Sequence, residues 1–118
     1  MIDFQIPEDA KAIRNKVRTF VREVVHPAEE NCTAENFDEV LAELRIAARA
    51  QGLWCPFVPV KHGGMGLRPL ANALVQMELG ESFLGALSMN TQGPDDATML
   101  TLSEHGTEYQ HEKYLKPL

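Results

Sequence analysis

Gly52-Leu53-Trp54-Cys55-Pro56-Phe57-Val58-Pro59-Val60-Lys61-His62-Gly63-Gly64-Met65-Gly66-Leu67 divides the chain, and the patterns on either side of it decide the fold. The stretch holds four of the eight glycines and two of the seven prolines, so it is a shaped loop rather than a helix or a simple strand. It also carries the only Trp and one of the two Cys. A long, partly apolar loop between two helices suggests a partner surface.

On its N-terminal side two helices are expected. Pro7 suits a first-turn position, and Glu8 and Asp9 suit the positive end of the helix dipole. Ile13, Val17, Phe20, Val21 and Val24 form one apolar face at helical period, with Lys11, Arg14, Arg18 and Arg22 largely off it. Pro27 is expected to end this helix, because the residue before a proline disfavours the α conformation, and His26 to cap its C-terminus. The second helix starts near Asn36, which with Glu39 resembles a capping box. Phe37, Val40, Leu41, Leu44 and Ala48 make its stripe, and Gly52 is its natural C′ residue.

On the C-terminal side, Pro69 opens a third helix carrying Leu70, Ala73, Leu74 and Met77, and Gly80 ends or interrupts it. Ser82 to Leu87 is a candidate fourth helix. Gly93-Pro94 punctuates before a fifth, Asp95 to His105, with Met99, Leu100 and Leu102. Thr107-Glu108-Tyr109-Gln110 is a capping-box pattern opening a last helix through about Leu115, stopped by Pro117. No strand alternation of any length occurs. The expectation is one all-α domain over residues 1–118, a small bundle of five or six helices.

Composition bounds the function. The net charge is −6: residues 1–26 carry five Lys/Arg against four Asp/Glu, and residues 27–118 six against thirteen. Dispersed acidity favours solubility, and no basic cluster points to nucleic acid. Cys32 and Cys55 form neither CxxC nor a zinc set and read as reduced thiols. No apolar run reaches a membrane span, and the opening Met1 to Ile6 lacks a signal-peptide pattern, so a cytoplasmic location is expected.

Local chemistry assembles no catalytic centre. Gly63-Gly64-Met65-Gly66 lacks the strand before it and the helix and Lys-Ser/Thr after it that a phosphate loop needs. His105, Glu108, His111 and Glu112 do not share one face in the manner of HExxH, and no metal is expected. Cys55 and His62 could form a nucleophile and base, but a packed thiol is the simpler reading. Asp95-Asp96 is explained by the helix start.

Four segments, in order, resemble the N-terminal helical domain of acyl-CoA dehydrogenases, over nearly the whole chain. Val24-Val25-His26-Pro27-Ala28-Glu29 is similar to the family's first helix running into a proline-containing turn. Ala50-Gln51-Gly52-Leu53-Trp54 resembles its helix, Gly-Leu, aromatic junction. Pro59 to Leu67 resembles Pro-Glu-x-x-Gly-Gly-x-Gly, with Val60 in place of Glu and Lys61-His62 in place of a more usual aromatic neighbour. His105 to Leu118 resembles Gly-Thr/Ser-Glu-x-Gln-Lys-x-x-x-Leu-x-Pro-Leu, with His111 where Lys is common. Asn90 to Met99 is similar to a subgroup with Asn-x-x-Ala-Pro-Asp-x-Gly-x-Met.

The resemblance implies a parent that oxidises acyl-CoA thioesters to trans-2-enoyl-CoA with FAD, held mainly by a middle β-domain and a C-terminal helical domain. On that reading the chain is a fragment, inactive alone and binding no cofactor itself, whose partners are the acyl-CoA and the FAD-binding domains. Met89, Asn90, Gln92 and Gly93 match the region approaching the acyl chain, and a Gly at 93 leaves room for a longer or bulkier group. No catalytic residue is expected among them. The alternative is a stand-alone helical module for protein interaction, or a fragment that self-associates through its docking face.

Overall fold

The computed structural model describes residues 3–118; Met1 and Ile2 of the expected domain lie outside the described residues. Among these the fold is all-α, with six helical segments and no strand. The first comprises α1 (Glu8–Phe20), a π turn (Val21–Val25) and α2 (His26–Glu30) without a break. Then come α3 (Phe37–Ala50), α4 (Pro69–Leu79), the short α5 (Gly85–Ser88) and α6 (Asp95–His105). The last is α7 (Glu108–Gln110) with a π turn (His111–Leu115).

Pro27 does not end the first helix. It occupies the first turn of α2, where its missing N–H matters least. The residue before it, His26, donates its N–H to the Val21 carbonyl, one residue further back than in an α-helix. This wider turn makes room for the proline ring, and His26 lies inside a continuing helix rather than capping one. The same device recurs before Pro117, where the Lys116 N–H reaches the His111 carbonyl. The bulge also shifts the apolar face: Val21 and Val25 are fully buried and Val24 only partly.

The expected capping box at Asn36 is absent. Asn36 Oδ1 accepts from the Thr33 N–H at 2.6 Å, and its Nδ2 donates to the Asn31 carbonyl at 2.9 Å, so the side chain pins the preceding turn. Gly52 behaves as expected. At φ +73° it lets the Leu53 N–H reach the Ala48 carbonyl at 2.8 Å and its own N–H reach Arg49 at 3.0 Å, a Schellman closure. Pro69 opens α4, and Thr107 and Gln110 form the reciprocal capping box.

The stripe expected on α4 faces outward. Leu70 is 48% and Met77 72% exposed, and Ala73 is exposed, whereas Val75, Glu78 and Leu79 are buried. Glu78 turns inward because Arg18 of α1 meets it, with Nη2 at 2.7 Å and Nε at 3.1 Å from one carboxylate oxygen. On α6, Leu100 is likewise exposed, and Ser103 completes the buried face with Met99.

The core has two parts. The larger joins Val17, Phe20, Val21 and Val25 to Leu44, Ala48, Leu53, Val75, Leu79, Leu84 and Met89. The smaller holds Cys55, Val58, Met99 and Leu115 under Trp54, Phe57 and Leu102. The Gly52–Leu67 loop links them, with Leu53 in one and Cys55 and Val58 in the other. It folds back on itself through Met65, Gly66 and Leu67 N–H groups donating to the Cys55, Val58 and Pro56 carbonyls at 3.1, 2.9 and 2.8 Å.

Candidate functional site

The segment after α5 holds all four expected site residues, but it divides them. Met89 is fully buried, and its carbonyl accepts the Cys55 N–H at 2.9 Å. Asn90 is 3% exposed and takes a left-handed φ of +54°, a conformation that asparagine tolerates better than most side chains. Its Nδ2 donates to the Leu118 carbonyl at 3.0 Å and lies 3.4 Å from Cys55 Sγ and 3.7 Å from Met99 Sδ. Cys55 is also left-handed, at φ +47°. Two strained residues therefore meet where the two loops join. Gln92 is half-buried and Gly93 exposed, and a Cβ added at Gly93 would meet only Asp96 Oδ1, at 3.8 Å. Met89 and Asn90 thus point into the protein, while Gln92 and Gly93 reach its surface.

Sequence reasoning missed the supports of this segment. Thr91 is buried, and its hydroxyl accepts from Gln76 Nε2 at 2.8 Å while its N–H donates to the Ala86 carbonyl at 2.9 Å. Gln76 lies on α4 between the buried face and the exposed Ala73–Met77 edge. At the root of the segment, Glu29 Oε1 accepts from the Ser82 hydroxyl and from the Leu84 N–H, the latter at 3.0 Å, tying α2 to the start of α5. No local signal could reveal these pairs, because their partners are 15 and about 55 residues apart in sequence.

The alternative chemistries find no support in the geometry. Burial raises the Cys55 thiol above its ordinary value, outweighing its contact with Asn90, and a raised thiol is a poor nucleophile. Its sulfur faces Met99 Sδ at 3.8 Å, while His62 packs against His111. The Gly63, Gly64 and Gly66 N–H groups donate to Val60, Pro59 and Val58 carbonyls, leaving none to cradle a phosphate or a flavin pyrophosphate. Among the described residues no cluster of three metal-ligating side chains occurs, and no helix is long and apolar enough to cross a membrane.

Two surface grooves among the described residues are lined by none of the four expected residues. One, of about 770 Å³, runs between the starts of α1 and α4, past Ala10, Ile13, Met65, Leu67 and Leu70. The other, about 330 Å³, lies beside Gly63 and Gly64, where the Arg49 guanidinium covers the Trp54 ring at 4.0 Å.

A family model described as acyl-CoA dehydrogenase, N-terminal domain, matches residues 7–118. The chain is 34% identical over 114 residues to acyl-CoA dehydrogenase family member 11 of Gallus gallus, covering 87% of this chain and 14% of that protein. It is 29% identical over 111 residues to the mitochondrial isovaleryl-CoA dehydrogenase of Bos taurus, covering 94% of this chain and 26% of that one. A solved acyl-CoA dehydrogenase-like protein from Mycobacterium abscessus matches 97% of this chain with a TM-score of 0.84 and 28% identity, over 32% of its own length. The chain therefore spans about a seventh of the first of these relatives and about a third of the solved one.

Proposed function

Because the chain belongs to the acyl-CoA dehydrogenase N-terminal domain family, we propose that residues 1–118 form the helical domain of a FAD-dependent enzyme that α,β-dehydrogenates acyl-CoA thioesters. The observation that carries this reading is the 89–93 segment. It is clamped from behind by Cys55, Gln76 and Leu118 and presents a glycine with open space at the surface. Gln92 and Gly93 would face the acyl chain as part of its pocket wall, with Met89 and Asn90 setting their position from inside. In such an enzyme bound FAD would supply hydride-accepting chemistry, and no residue of this chain is assigned to hold it. The residues of this chain contribute placement of the acyl group, which lowers the entropic part of the barrier. The exposed, uncharged stripe of α4 (Leu70, Ala73, Met77) would pack on the FAD-binding domains. Cytoplasmic residence belongs to the same proposal: both cysteines are free thiols, although the Bos taurus relative is a mitochondrial protein.

Two measurements test it. The purified chain with FAD, an acyl-CoA and an electron acceptor is expected to give no turnover, and turnover would overturn the reading of an inactive part. Residues 7–118 grafted into the Gallus gallus relative in place of the matching segment should give a flavin-loaded enzyme. There Gly93→Leu should lower kcat/KM for long acyl-CoA substrates about tenfold more than for short ones, since a lost methylene or two of room is worth roughly 10–200-fold. A uniform effect across chain lengths removes Gly93 from the wall.

The α4 stripe also favours a second reading, a helical interaction or self-association module. Sedimentation of the purified chain separates the two: a monomer at high concentration counts against self-association.

A further inference from the structure

His62 and His111 are positions at which two family-like segments depart into histidine, and the fold places the two side by side. Their ring centroids are 4.6 Å apart and their planes meet at 67°, an edge-to-face contact. His62 ends the short 3-10 turn Val60–His62, and the left-handed Gly63 follows it. His111 begins the π turn of the last helix, and its Nε2 lies 2.7 Å from the Leu102 carbonyl oxygen. A carbonyl only accepts, so His111 carries a proton on that nitrogen. The same carbonyl accepts the Gly106 N–H at 2.8 Å. The corner is packed without slack, since a Cβ on Gly106 would lie 2.4 Å from that oxygen and 3.0 Å from the His111 ring.

His62 Nε2 is the unusual atom. It is buried and has no hydrogen-bond partner. As a bare lone pair it leaves one acceptor unsatisfied. As part of an imidazolium it would leave a charged donor unsatisfied, which is far worse.

We infer that the His62–His111 contact is a pH-sensitive latch, which holds the Val60–Gly66 turn on the α6–α7 corner while the His62 ring is neutral and lets go when that ring takes up a proton.

Three elements face His62. The last helix brings His111, its own turn brings Lys61, and α6 brings the main chain of Ser103. Both charged or chargeable neighbours oppose a proton, and only the Ser103 main chain favours one. Burial, then His111 and Lys61, hold the His62 imidazole below the usual value of 6.5. The unfolded chain therefore binds the proton more readily, so the latch's contribution is complete above about pH 6.5 and fades as pH falls below it. Release would reach the candidate site. The turn leads into the Met65–Leu67 bonds to Cys55, Val58 and Pro56, and Cys55 in turn holds the Met89 carbonyl. This inference goes beyond the proposed function and stands whether or not the parent is a dehydrogenase.

The test is amide hydrogen exchange of the purified chain between pH 7.5 and 5, corrected for intrinsic rates, with NMR titration of the histidine rings. Amides 63–67 should lose protection about tenfold or more at pH 5.5 while the α1 and α4 core amides do not, and His62 should titrate below 6.5. His62→Phe keeps the edge-to-face contact and should remove the pH dependence. If that variant fails to fold, His62→Gln is read for the same loss of pH dependence. Protection at 63–67 that is flat across this range, or an unchanged pH dependence in the folded variant, overturns the latch.

Discussion

Gly64→Ala tests the geometry that folds the Gly52–Leu67 loop back on itself. A Cβ at Gly64 would stand 2.1 Å from the Val58 carbonyl oxygen, 2.5 Å from Val58 Cβ and 2.6 Å from Val58 C. These are backbone and near-backbone atoms, so no rotamer change relieves the overlap; the two arms of the loop must separate by about 1 Å to restore an ordinary carbon–oxygen contact of about 3.3 Å. The oxygen under pressure also accepts the Gly66 N–H at 2.9 Å, and that separation takes the bond outside hydrogen-bonding range. Overpacking of this kind costs about 1–3 kcal/mol, and one or two lost hydrogen bonds add about 1 kcal/mol each. A total of about 3–4 kcal/mol corresponds, at roughly 4 °C per kcal/mol for a chain of this length, to a Tm lowered by about 12–16 °C. Gly63→Ala is the control. Gly63 has φ +91°, but nothing lies within 4 Å of where the alanine methyl would stand, so only left-handed strain of about 1–2 kcal/mol applies, or about 4–8 °C. Thermal melts by circular dichroism, with guanidinium unfolding as a second measure, read both variants. A loss in Gly64→Ala no larger than in Gly63→Ala would refute the steric account.

Two further outcomes follow from burial and charge. Met89→Ala should cost about 2–5 kcal/mol by urea unfolding because the side chain is fully buried, whereas Met77→Ala, at a 72% exposed site, should stay within about 0.5 kcal/mol; equal costs would contradict the placement of the 89–93 segment. Glu78 is held below its ordinary value of 4.5 by the hydrogen bond and charge of Arg18, so the pair's stabilisation is present above about pH 4.5 and lost as pH falls through the lowered value. Arg18→Leu should therefore flatten the acid limb of a Tm-versus-pH curve, and a limb parallel to that of the unaltered chain would show that the pair does not carry it.

Features governed by a few adjacent residues are legible in the sequence. Gly52 closes α3, Pro69 opens α4 and the Thr107–Gln110 box opens the last helix, each through contacts within about five residues. Pro27 misleads because proline's penalty assumes α spacing, and a π turn changes that spacing. Asn36 misleads because its side chain has two sets of partners in reach and bonds backward to Asn31 and Thr33. For the candidate segment, the sequence marks a stretch of chain but not the orientation of its side chains. Nothing local to Asn90 says that its amide will be held by Leu118 and lie against two sulfurs, and Met89 is buried by elements contributed from both sides of the loop. The histidine pair shows a different limit: each departure from the family pattern is visible alone, and only the fold makes them one contact.

The reversal on α4 has a physical cause that bears on what the chain does. Two stripes at helical period compete there. One is Leu70, Ala73, Leu74 and Met77; the other is Val75, Glu78 and Leu79. Judged on apolar area alone the first should face inward, since burying a Leu and a Met is worth about 1.5–3 kcal/mol each. Rotating the helix to bury it would carry Glu78 away from Arg18 and lift Val75 and Leu79, both essentially inaccessible, out of the core. The second stripe wins because its shape and its carboxylate are matched by α1, with which α4 makes its main contact. Leu70, Ala73 and Met77 of the first stripe are then left facing water, with Leu74 half-buried, by the fold of this chain and not by lack of apolar character. A surface of that kind, uncharged along two turns and bordered by Gln76, which reaches Thr91 of the candidate segment, suits the docking role proposed for it. The feature of α4 that hydrophobic periodicity alone misplaces is therefore the one on which the proposed docking role rests.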